Sequence, residues 1–143
     1  MSTYVLDASV AAKWMLPSGG ESLHAEALTW LTRYASNELV LIVPDLFWIE
    51  VANLMWRAVR YARVTKSDAQ SALAGLRERK FETFSTASLI DAAFEIAVAY
   101  QRTVYDSLYV ALAKETGTYL VTADEKLANA LAAHLPVKWL GAI

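Results

Sequence analysis

Asp7, Glu50, Asp106 and Asp124 each sit in or beside a strongly apolar stretch, where a lone carboxylate is expensive. The settings are Tyr4-Val5-Leu6-Asp7, Phe47-Trp48-Ile49-Glu50-Val51-Ala52, Val104-Tyr105-Asp106-Ser107-Leu108 and Leu120-Val121-Thr122-Ala123-Asp124. An ionised carboxylate taken out of water must be paired, hydrogen-bonded or bound to a metal, or else it takes up a proton. Gathered by a fold, four such groups make an oxygen-ligand pocket for a hard divalent cation. Zinc ordinarily asks for His or Cys, so an all-oxygen site points to Mg2+ or Mn2+. The chemistry open to such a site is attack of a metal-acidified water on a phosphodiester.

Each acid also has a structural role open to it. Asp124 precedes a helical pattern and can cap it, and Asp7 can cap the turn into the first helix. Thr103-Val104-Tyr105-Asp106 fits a capping box. Glu50 discriminates. Between Leu46 and Trp56 the only polar side chains are Glu50 and Asn53, three residues apart and so on one side of a helix, and neither stands at a helix end. Ser9 and Thr122 lie two positions from an acid of the set. They serve either turn chemistry or the orientation of a carboxylate or a bound water, with Asn53 beside Glu50 in the same supporting role. The other acids are set aside: Asp45, Asp68 and Asp91 stand in first turns with capping roles, and the remaining glutamates fall where solvent is expected.

The elements that must position these residues follow from alternation of short apolar runs with helical repeats. Tyr4–Asp7 reads as a buried strand, and Ser9 as the cap of a helix ending at Leu16, broken by Pro17-Ser18-Gly19-Gly20. Glu21 to Tyr34 repeats apolar residues at helical spacing, Leu39–Val43 is a second strand, and Pro44-Asp45 opens a long helix to about Tyr61. Thr65-Lys66-Ser67-Asp68 is a capping box for a helix to Lys80, followed by a short strand at 81–84. Ser88-Leu89-Ile90-Asp91 reads as a second box, for a helix to Tyr100. A helix from Asp106 to Glu115 closes at Gly117, then come a strand at Thr118–Thr122, a helix at Glu125–Ala133 and a last strand at Val137–Trp139. This pattern predicts one α/β domain over residues 1–143, a parallel sheet covered by helices, with its site at the carboxyl ends of the strands.

Composition narrows the class further. A chain of 143 residues, 56% apolar, can bury a real core and is not disordered. No apolar run approaches the roughly 18–20 residues of a membrane span, and the start lacks a basic segment followed by a hydrophobic core. The absence of cysteine excludes disulfides and thiolate metal sites, and with no export signal it sets the expectation of a cytoplasmic protein. The net charge of −2 hides two basic clusters, Arg57-Arg60-Arg63-Lys66 and Arg77-Arg79-Lys80. On charge alone these read as solvated helix edges; beside a metal site the same residues can guide a phosphate backbone. The five tryptophans and most tyrosines read as packing, and His24 and His134 as isolated surface or boundary residues. No glycine-rich phosphate loop and no nucleophile elbow with a neighbouring His is present.

Taken together, Leu6-Asp7-Ala8-Ser9-Val10 with Lys13-Trp14, Pro44 through Glu50-Val51-Ala52-Asn53, Tyr105-Asp106-Ser107-Leu108-Tyr109-Val110-Ala111-Leu112-Ala113 and Leu120-Val121-Thr122-Ala123-Asp124-Glu125-Lys126-Leu127 resemble, in order, the motifs of the PIN-domain ribonucleases. Within that family the likeness is to the VapC-type toxins of toxin–antitoxin pairs. One departure is the turn after Pro17, where many relatives place an acid directly and this chain first reaches Glu21. The resemblance implies a three-layer α/β/α sandwich with a small central parallel sheet, a homodimer, and metal-dependent cleavage of RNA. It also implies a cognate antitoxin that restrains the enzyme, an acidic quartet at Asp7, Glu50, Asp106 and Asp124, and Thr122 as their hydroxyl neighbour. Two other readings stay open: a PIN-like module that keeps its acids but acts only through protein contacts, and a metal-dependent phosphohydrolase of another substrate class.

Overall fold

A strand covered on both faces needs consecutive rather than alternating apolar residues, and Leu41–Pro44 and Leu120–Thr122 are buried without interruption. The computed structural model describes residues 1–17 and 22–143, so the expected break at Ser18-Gly19-Gly20 and the expected helix start at Glu21 lie outside the described residues. The elements are β1 (Ser2–Leu6), α1 (Ala8–Met15), α2 (His24–Ala35), β2 (Leu39–Pro44), α3 (Leu46–Arg60), α4 (Lys66–Arg77), β3 (Glu82–Phe84), α5 (Ile90–Tyr100), α6 (Val104–Thr116), β4 (Tyr119–Thr122), α7 (Glu125–Leu131) and β5 (Val137–Trp139). Short 3-10 turns occupy Ala87–Leu89 and Leu140–Ala142.

All strand pairs are parallel, in the order β3-β2-β1-β4-β5. The chain runs outward from β1 through β2 to β3, then returns to the other side of β1 for β4 and β5. Right-handed crossovers therefore put α1–α4 on one face and α5–α7 on the other. The packing agrees, with α1 against α2 and α3, and α6 against α5, β1, β2 and β4. The result is the expected α/β/α sandwich. Helix α6 is buried from Ser107 to Ala113, and residues such as Leu112 and Val110 contribute about 1.5–3 kcal/mol each through burial. Among the described residues no helix is long and apolar enough to cross a membrane.

Several local expectations are corrected. Helix α1 begins at Ala8, so Ser9 lies inside its first turn; Asp7 holds the cap position without a side-chain capping bond. The Ser88–Asp91 box does not form, because Ser88 Oγ donates to Ser85 O (2.8 Å) within a 3-10 turn and α5 starts only at Ile90. Asp45 stands at the head of α3, yet its carboxylate accepts from the Thr86 amide (3.0 Å) and hydroxyl rather than from its own helix. Asp106 is the third residue of α6, not its first; Thr103 caps that helix by accepting from the Asp106 amide (3.1 Å). Trp56 is 56% exposed rather than packed. The Thr65 cap forms as expected, accepting from the Asp68 amide at 3.0 Å, and Gly117 closes α6 in the left-handed conformation at φ 65°.

Candidate active site

The strand order reverses between β1 and β4, and ligand sites of parallel sheets form at such a reversal, beyond the carboxyl ends of the strands. Leu6 pairs with Val121 there, and the Asp7 amide donates to Val121 O at 3.1 Å, extending the ladder by one bond. This places the Asp7 carboxylate beside the end of β4. Its Oδ2 accepts from Ser9 Oγ (2.5 Å) and from Thr122 Oγ1 (2.8 Å). Both hydroxyls are themselves held by backbone amides: Ala123 N donates to Ser9 Oγ (3.0 Å), and Asp124 N to Thr122 Oγ1 (3.0 Å). Each amide occupies an acceptor lone pair and turns the hydroxyl proton toward Asp7. Ser9 and Thr122 thus orient the carboxylate, as one of their two sequence readings expected.

Glu50 projects from the second turn of α3, and its Oε1 accepts from the Tyr109 hydroxyl of α6 at 2.5 Å. Asp106, half-buried, faces Arg102 at 3.5 Å, a long contact between partly exposed groups. Asp124 is exposed and does two things: its Oδ1 caps α7 by accepting from Leu127 N (3.1 Å), and it faces the same groove as the other acids. That groove has a volume of about 690 Å³, and Asp7, Glu50, Asp106 and Asp124 all line it. Asn53 lines it as an exposed residue. So do Arg57 and Arg63 of the first basic cluster, whereas the second cluster lies elsewhere, with Arg79 and Lys80 at the opposite end of β2.

The acids lie within one another's electrostatic reach. Burial pushes the Asp7 carboxyl above its ordinary range; the Ser9 and Thr122 hydrogen bonds oppose the shift, and the charges of Asp106 and Asp124 add to it. Glu50 is raised as well, by burial first, with the Tyr109 bond opposing and Asp7 and Asp106 adding. Tyr109, buried beside these carboxylates, is pushed far above the ordinary phenol range and stays a protonated donor.

Clustered carboxylates repel one another and so suit a dication in donor chemistry. Among the described residues, no three His, Cys, Asp or Glu side chains form a group that could hold a metal ion. Mg2+ would not require one, since it keeps several waters and is commonly held by one or two carboxylates directly. A site of this kind would take some of the four acids as ligands and the others through water.

The profile of the PIN domain matches residues 4–131, from β1 through α7. The chain belongs to the PIN-domain family. It is 35% identical over 127 residues to Ribonuclease VapC3 of Pyrobaculum aerophilum, a match covering 87% of this chain and 92% of that relative. Solved structures share the PIN fold at lower identity. PAE2754 from Pyrobaculum aerophilum superposes with a TM-score of 0.72 at 23% identity, over 99% of this chain and 85% of that one. VapC20 of Mycobacterium tuberculosis, described as a sarcin-ricin loop cleaving toxin, gives 0.65 at 20% identity over 94% and 96%. VapBC2 of Rickettsia felis, bound to a DNA fragment from its promoter, gives 0.63 at 13% identity over 96% and 98%.

Two groups beside these acids do not stand out in the sequence: Tyr109, whose spacing reads as packing like that of most tyrosines, and Arg102. A signal existed for Tyr109, because it follows Asp106 by three residues and so shares its side of α6.

Proposed function

We propose that this PIN-domain protein is a ribonuclease of the VapC type, hydrolysing RNA phosphodiester bonds as the toxin of a toxin–antitoxin pair. The observation that carries the proposal is the arrival of four carboxylates, from four separate segments, in one groove at the sheet's reversal point. The similarity to Ribonuclease VapC3 over most of both chains supports the same reading.

Asp7, Glu50, Asp106 and Asp124 would hold Mg2+ or Mn2+, which when bound polarises the phosphate and acidifies water. Ser9 and Thr122 hold Asp7 in one orientation. Arg57 on the groove wall draws in the polyanionic backbone. An open groove with exposed Tyr105 at its side admits a single strand, whose unstacked bases are what proteins read in RNA.

The partner of this toxin is an antitoxin protein laid across the groove, and the working unit is a homodimer in the cytoplasm. Toxin–antitoxin complexes among the fold's neighbours, including one from Klebsiella pneumoniae, support the antitoxin.

The test is cleavage of labelled single-stranded RNA by the purified chain in Mg2+ or Mn2+, alongside a generic phosphomonoester. RNA cleavage that stops on chelation and falls at least 100-fold in Asp106→Asn is the expected result. Induced expression should arrest growth, and Asp106→Asn should not. Phosphomonoester turnover without RNA cleavage would overturn the proposal, and so would growth arrest that survives Asp106→Asn.

A further inference from the structure

Tyr109 is 2% exposed, so its hydroxyl is carried into the interior. A buried tyrosine hydroxyl needs a partner, and any backbone carbonyl would satisfy it. This one instead donates to a carboxylate that lines the groove, from a helix 59 positions away in sequence. Asp106 lies three residues before Tyr109 on α6, on the same side of that helix. One hydroxyl thus ties the side chain of Glu50 to the helix that carries Asp106.

We propose that Tyr109 is a positioning residue, whose hydroxyl sets Glu50 against Asp7 and Asp106 and reserves the second Glu50 oxygen for a cation or its water. Its one proton is committed to Glu50 Oε1, so the carboxylate is held in one orientation. Phenylalanine at this position keeps the ring and its packing while leaving the Glu50 oxygen without that partner. Residues that orient metal ligands in this way typically cost 10–100-fold in metal affinity or activity when removed.

The proposal rests on the ribonuclease reading only for its kinetic arm, since Mn2+ affinity is read by calorimetry without any RNA. Tyr109→Phe should weaken Mn2+ binding by about 10-fold or more and lower kcat comparably, with KM for RNA changed less than about twofold. In a Glu50→Gln background the same substitution should cause no further loss of Mn2+ affinity, because Tyr109 acts through Glu50. Tyr34→Phe is the control: it removes a hydroxyl that donates to Arg79 O at 3.0 Å, away from the acids, and should change neither quantity. Wild-type Mn2+ affinity and kcat in a folded Tyr109→Phe would overturn the proposal, as would equal losses in Tyr34→Phe or a full additional loss in the Glu50→Gln background. Should Tyr109→Phe not fold, the Tyr109 Cζ resonance of the wild-type chain should move on addition of Mg2+, and an unmoved resonance would overturn it. If the wild-type chain binds Mn2+ through Tyr109-held Glu50 but cuts no RNA, the ribonuclease reading fails and this one stands.

Discussion

Replacing Asp7 by asparagine should stabilise the cation-free protein while abolishing its activity. Asp7 and Glu50 both hold protons more tightly in the native state than in the unfolded chain. Stability from such groups is fully present below their unfolded values, near 3.8 and 4.5, and is lost as pH rises through the raised native values. Above its unfolded value the Asp7 carboxyl therefore costs the native fold stability, whether charged or neutral. Asparagine keeps the shape and an oxygen that can accept from Ser9 and Thr122, but removes the ionisable group and with it the burial and like-charge penalties on its ionisation. The charge-assisted part of those two hydrogen bonds goes too, so the net gain is smaller than the burial term alone. Relief of a strained site acid belongs to changes worth about 0.5–2 kcal/mol. For a domain of this size that raises Tm by about 3–5 °C per kcal/mol. Thermal unfolding in EDTA between pH 3.5 and 8 reads it directly: the Asn variant should match wild type at the acid end and melt progressively higher above pH 4.5. Mg2+ at about 100 times its Kd should add about 2.7 kcal/mol to the wild type and much less to the variant, closing or reversing the gap. A variant that melts below wild type in EDTA at pH 7.5, or a gap of equal size at pH 3.5 and 7.5, would refute the electrostatic argument.

Two other expectations are independent of Asp7. Arg57→Ala should raise KM for RNA and reduce the slope of log KM against log salt by about one, as loss of one phosphate contact does, with kcat preserved; a salt titration of the kinetics measures it. Gly117→Ala places a Cβ in the left-handed region at φ 65° without meeting any neighbour, so the cost is conformational alone, about 1 kcal/mol, visible in denaturant unfolding with unchanged Mn2+ affinity.

The sheet and its helices were legible because parallel strands buried on both faces read as unbroken apolar runs, as Leu41–Pro44 and Leu120–Val121 do. That the four acids share a groove was legible through Glu50 above all, which stands in an apolar run with no capping role, whereas Asp124 both caps α7 and faces the groove. Errors came where tertiary bonds displaced local ones. Ser9 has cap chemistry but spends its hydroxyl on Asp7 and Ala123, more than a hundred residues from the latter. Asp45 likewise reaches Thr86 instead of its own helix. Tyr109 stayed hidden because its ring obeys the core pattern, and only the folded chain shows what its tip touches.

The placement of β4 next to β1 has a consequence for the order in which the site can assemble. Asp7 is made more than a hundred residues before Thr122, the hydroxyl that donates to it, and β1 pairs with β4 across the same interval. A polypeptide ended before β4 holds Asp7, Glu50 and Asp106 but lacks the wall against which Asp7 is set. The groove therefore takes its final form only after β4 has been added to the sheet.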